Sequence, residues 1–148
     1  MTSMNITKQW FTIARNDLFM AKYSYENMSP RRLSVSCFHC QQAAEKALKG
    51  YLQYKGKDPP RTDTDDLGVL CRECMELDTS FGTVLEAASK LSPYGIEAWY
   101  PGGIVVDEKM TQTAIIQAQA VHDFALSKVP QKVSDAMMDE RASLGPNS

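Results

Sequence analysis

The chain has 148 residues, 43% of them hydrophobic and 23% charged, which suits one folded domain with a real core and excludes a disordered chain. A net charge of −2 argues against a general nucleic-acid coat protein. No apolar run is long enough for a transmembrane helix or a signal peptide, so the expected location is the cytoplasm, away from membranes.

The first predicted helix runs from about Asn5 to Met28, with Trp10, Ala14, Leu18, Ala21 and Tyr25 at helical spacing and Phe11 widening the stripe. Ser29 is expected to cap a second helix with Pro30 in its first turn. That helix extends to about Lys55 on Leu33, Cys37, Cys40, Ala44, Ala47 and Tyr51, and stops at Gly56 before Asp58-Pro59-Pro60. A third begins after Thr64, with Asp65 and Asp66 in its first turn, and carries Leu67, Leu70, Cys71, Cys74 and Leu77. Asp78 or Thr79 restarts a shorter helix through Phe81, Leu85, Ala88 and Leu91. Residues 94–106, with Pro101-Gly102-Gly103, form a loop. The last long helix runs from about Asp107 to Lys128. The reading is therefore an all-α, up-and-down antiparallel bundle of four to five helices over residues 1–130, followed by a polar tail, 131–148, with at most one loose helical stretch.

The stretch Cys37-Phe38-His39-Cys40-Gln41-Gln42-Ala43-Ala44-Glu45-Lys46-Ala47-Leu48-Lys49-Gly50 closely resembles the second-helix signature of the HEPN domain family. Tyr94-Gly95-Ile96-Glu97-Ala98-Trp99-Tyr100-Pro101-Gly102 is similar to the aromatic loop before that family's last long helix. Thr64-Asp65-Asp66-Leu67 looks like its Thr-His-Asp-Leu helix start. The likeness spans about residues 7–128. It implies a helical bundle that pairs as a homodimer, binds nucleotides or related ligands, and often partners a small nucleotidyltransferase in a toxin–antitoxin pair. A subset of the family are metal-independent ribonucleases. Two positions depart from the pattern: Asp65 stands where the family often has His, and Trp99 where it often has Arg. Both changes remove groups that could hold a phosphate.

The residues support several readings of their own. His39, Gln42, Lys46 and Lys49 share one side of the second helix, a ridge that can hold an anion or an RNA phosphate, or simply be a solvated or dimer-facing edge with pairs such as Glu45–Lys49. Tyr94, Trp99 and Tyr100 can line a cleft beside that ridge or cap the core. Arg32 and His39, with six residues between them, formally match the Arg–His pair of the family's ribonucleases, in which His moves a proton and Arg stabilises phosphate charge. Seven positions along a helix is roughly 10 Å of rise, so convergence requires long side chains. His122 has no Arg at that spacing before it and reads as a partly buried helix residue. Cys37-x-x-Cys40 and Cys71-x-x-Cys74 suggest two halves of a zinc site, but each pair lies on an apolar helix stripe, where core packing is the expected role and no metal or other cofactor is needed.

The charge is unevenly placed. Residues 1–56 hold eight Lys/Arg against three Asp/Glu, whereas residues 57–148 hold eight against fifteen. Internal pairing between the halves is the expected use, with a positive face for a phosphate or an acidic partner as the alternative.

Overall fold

Helix starts are set by short polar side chains that satisfy the open N–H groups of a first turn. The Thr2 hydroxyl accepts from Asn5 N at 3.2 Å and opens α1 (Ser3–Asn27). Asp66 accepts from Gly68 N at 2.8 Å and opens α3 (Leu67–Leu77). Asp107 accepts from Met110 N at 2.8 Å and opens α5 (Glu108–Ser127). The remaining helices are α2 (Leu33–Tyr54), α4 (Leu85–Leu91) and α6 (Gln131–Leu144), and 3-10 turns at Thr79–Val84 and Ser92–Gly95 flank α4. This computed structural model describes residues 2–57, 66–95 and 101–144, with side chains up to Met137, and contains no strand among them.

The core is organised around α2. Helix α1 packs along one side of it and α5 along another, with α3, α4 and the Ser92–Gly95 turn covering the rest. Cys37, Cys40, Ala43, Ala44, Ala47, Leu48, Tyr51 and Leu52 are all buried, so the expected apolar face is present and wider than a single stripe. Small residues allow this close wrapping. At Gly50 a Cβ would lie 2.9 Å from Phe11 Cε2 and 3.0 Å from Trp10 Cβ, so only glycine lets α1 approach there. Phe81 links the layers, with its ring centroid 4.5 Å from Tyr51 and 5.0 Å from Phe124.

Three boundaries differ from the sequence reading. Helix α2 begins at Leu33, so Ser29 and Pro30 lie in the connection from α1. Arg31 in that connection is drawn to Glu108 at 2.7 Å and over the Tyr25 ring at 4.8 Å, which ties it to the start of α5. Helix α3 starts after Asp66, which caps it; Thr64 and Asp65 lie outside the described residues. The C-terminal segment is more than a tail: Val133 and Met137, one helical turn apart, are buried, and the Arg15 guanidinium of α1 donates to Met137 O at 3.4 Å. The sixth helix thus packs on α1, taking the count past the expected four or five.

The Arg31–Glu108 pair also joins the basic half of the sequence to the acidic half. Tyr25 Oη donates to the same carboxylate at 2.9 Å. No helix among the described residues is long and apolar enough to cross a membrane.

Candidate functional site

The ridge on α2 is largely occupied by the protein's own groups. Gln42 donates to Gln41 Oε1 at 2.7 Å and accepts from Lys46 Nζ at 2.7 Å. Lys46 and Lys49 each place Nζ 3.3 Å from Glu45 Oε2. Glu45 and Lys49 are only 7% and 8% exposed, and Gln41 is fully buried against Gly95. A buried carboxylate is tolerable only with such partners, because its desolvation otherwise outweighs its attractions. The sequence reading foresaw Glu45–Lys49 but placed neither Gln41 nor Glu45 in the site. Their signal was the spacing of four from Gln41 to Glu45 to Lys49, which stacks them on one side of a helix.

His39 and Arg32 are not brought together by any recorded contact. The His39 Nδ1 lies 2.9 Å from Asp17 Oδ1 of α1, and its ring packs edge-on to Phe38. Arg32 is exposed at the start of α2, where it makes no side-chain cap. Its position is about 10 Å along the helix axis from His39. Of the aromatic residues, Trp99 and Tyr100 fall outside the described residues. Tyr94 is buried in the Ser92–Gly95 turn, which raises its hydroxyl pKa through desolvation and the nearby Cys37 and Cys40. It is therefore a core-capping ring rather than an exposed one, although it also borders a cleft of about 390 Å³ with Lys90 and Lys109 on its walls.

All four cysteines are fully buried. Cys37 Sγ lies 3.5 Å from Thr111 Oγ1, Cys71 Sγ donates to Phe81 O at 3.4 Å, and Cys74 Sγ to Leu48 O at 3.7 Å. Burial raises every one of these thiols, Cys71 to about 11. Among the described residues no group of three or more His, Cys, Asp or Glu is placed to hold a metal ion.

Two surface features involve α1, which the sequence reading treated only as a core helix. Its outer side carries Ile6, Ile13 and Met20 at intervals of seven, with Phe19 and Tyr23 alongside, all exposed. Phe19 is 63% exposed and stacks on Tyr23 with centroids 6.0 Å apart. On the next flank a cleft of about 490 Å³ lies between α1 and α5, walled by Arg15, Phe19, Lys22 and Gln119, with Leu18 and His122 the most buried residues in it. His122 Nε2 is buried and has no hydrogen-bond partner. Leaving such an atom unpaired costs on the order of 1–3 kcal/mol; Thr12 Oγ1 and Ser24 Oγ are likewise buried without a partner, but of the three only His122 belongs to a residue that lines the cleft. The signal for the cleft was the spacing of Lys8, Arg15 and Lys22 by seven, which sets a basic line along one flank of α1.

A central helix with a Gln-Gln-x-x-Glu-Lys edge, wrapped by long antiparallel neighbours, defines a class of small all-α bundle proteins. The HEPN domain family matches residues 7–129, most of the chain, and the chain belongs to that family. Neither the curated proteins nor the solved structures give a significant match.

Proposed function

We propose that the chain is a non-catalytic HEPN-type interaction module that acts as a homodimer and partners a small nucleotidyltransferase, in the manner of a toxin–antitoxin pair. The observation that carries the reading is the exposed apolar stripe on α1. Monomeric soluble proteins rarely leave so many large apolar side chains together in water. Apolar residues repeating every seven positions form the seam along which two helices pack. The occupant of the stripe is a second copy. An antiparallel pair of α1 helices centred between Ile13 and Met20 sets Ile13 of one copy against Met20 of the other. The same pairing brings Lys8, near one end, towards Glu26, near the other.

A nucleotide-like ligand on the α2 ridge is a weaker form of the reading. It would have to draw Lys46 and Lys49 away from Glu45 and leave that buried carboxylate with no cation, only the Gln41 amide at 3.5 Å. Ribonuclease chemistry would need Arg32 and His39 to meet across the dimer, since within one chain the His39 ring is engaged by Asp17.

Light scattering after size exclusion tests the central claim. The wild-type chain is expected to elute as a dimer, and Ile13→Glu with Met20→Glu as a folded monomer with unchanged helical circular dichroism. A wild-type monomer at about 50 μM, a concentration at which a specific interface of micromolar Kd is filled, would sink the proposal. Co-expression with a nucleotidyltransferase encoded beside it should yield a complex that the double variant weakens.

A further inference from the structure

His122 joins a chain of bonds that crosses the α1–α5 cleft. Its Nδ1 lies 2.9 Å from Asp123 Oδ1. An ionised carboxylate only accepts, so Nδ1 carries a hydrogen, and whenever the ring is neutral Nε2 is its acceptor. The Gln119 amide donates to the same Asp123 oxygen at 2.9 Å. Its carbonyl in turn accepts from Lys22 Nζ of α1. The chain therefore holds one face of the cleft from Lys22 to His122 and fixes the imidazole tautomer, yet it ends on an acceptor with nothing to accept.

The cations around it are held by neutral oxygens. Lys22 pairs with an amide carbonyl, and Arg15 with the backbone carbonyl of Met137 at 3.4 Å. Both are weaker partners than an anion, since charge-assisted bonds are roughly twice as strong as neutral ones. Among the described residues that line the cleft, Arg15 and Lys22 are the charged groups, and Asp123, mostly exposed, is the carboxylate bonded to His122 and Gln119. The cleft's volume of about 490 Å³ lies within the range of small-molecule sites.

We propose that the α1–α5 cleft binds a small hydroxylated organic oxyanion. Its phosphate or carboxylate is held by Arg15 and Lys22, and one of its hydroxyls donates to His122 Nε2. An oxyanion that takes Lys22 from Gln119 releases the bond that spans the cleft and opens access to the buried ring. Phe19 at the rim supplies an apolar wall for the ligand's carbon skeleton. The cleft's charged and polar groups all come from one chain and lie away from the α2 ridge; Phe19 is shared with the α1 stripe, so Ile13→Glu with Met20→Glu, which spares Phe19, should leave the binding in place.

Calorimetric titration of the full chain with ribose 5-phosphate, gluconate and uncharged ribose tests it. At least one anion is expected to saturate and ribose is not; the preferred anion identifies phosphate or carboxylate as the recognised group. Lys22→Gln and His122→Gln are each expected to weaken binding about tenfold or more, the loss of one hydrogen bond to a charged or buried group. Lys90→Gln, in the cleft beside Tyr94, should leave it unchanged. In nitrogen-detected NMR of the wild-type chain, the anion should move the His122 Nε2 resonance. This last measurement, with Lys22→Gln, decides the matter even if the His122 variant fails to fold. Absence of saturable binding by both anions, binding unaffected by Lys22→Gln, or a still Nε2 resonance would overturn the proposal.

Discussion

Single residues decide how closely the bundle closes. Gly50 is the sharpest case, because its missing side chain is where α1 rests on α2. Alanine would gain about 1 kcal/mol of helix propensity, but its methyl must displace the buried Phe11 ring and the Trp10 stem, which overpacking data put at about 1–3 kcal/mol. Gly50→Ala is therefore expected to lose stability on balance, by about 1 kcal/mol in urea unfolding, and Gly50→Val by clearly more. A stabilised Gly50→Ala would show that the two helices are not in contact there. Asp78 sets a second local condition. Its Oδ1 accepts from Ser80 N at 3.0 Å and from Ser80 Oγ, and Lys128 Nζ stands 3.4 Å from Oδ2. Those bonds hold its carboxyl below the usual 3.8. The group is thus more acidic folded than unfolded, so its contribution is complete above about pH 4 and is lost as pH falls through the lower, folded value. Removal of the cap in Asp78→Ala should lower stability at pH 7, as a lower urea midpoint. The gap from wild type should narrow at pH 3, and a gap that widens on acidification would contradict this account.

Helices differ in how plainly their sequences announce them. In α1, α2 and α5 the apolar residues recur over five or more turns, so the periodic signal outweighs any local irregularity and each was readable to within a few residues. Helix α6 offers the core little beyond Val133, Ala136 and Met137 among polar neighbours, which is why it read as a tail. Its place was decided by packing on α1, and that information is not local to residues 131–144. The ridge on α2 was legible as a set of residues but not as a filled one, since only folding shows that Gln41 turns inward against Gly95 and that His39 meets Asp17 from another helix. Met137→Ala separates a packed sixth helix from a loose one. A buried methionine truncated to alanine costs about 2–5 kcal/mol, whereas a surface substitution stays within about 0.5. The expected loss, measured by urea unfolding, is at least about 2 kcal/mol. Wild-type stability in the variant would restore the tail reading.

At the scale of the whole molecule, the four cysteines report whether the helices share one interior. Cys37 and Cys40 lie in α2, with Cys37 against Thr111 of α5, while Cys71 and Cys74 lie in α3 against Phe81 and Leu48. All are sealed from water, and burial holds every thiol protonated, so alkylation in the native state requires an opening of the fold. Leu48 of α2 accepts from Cys74, and Tyr51 of the same helix packs on Phe81, so the two pairs belong to different parts of one continuous core. Opening one part should therefore expose the other. In brief alkylation with iodoacetamide across a urea series, read by mass spectrometry, both pairs are expected to react over the same transition, which should coincide with the loss of helical circular dichroism. Earlier labelling of Cys71 and Cys74 would mean that α3 and α4 form a separable unit docked on an α1–α2–α5 core. It would also mean that Phe81, lying between Tyr51 and Phe124, fails to couple them.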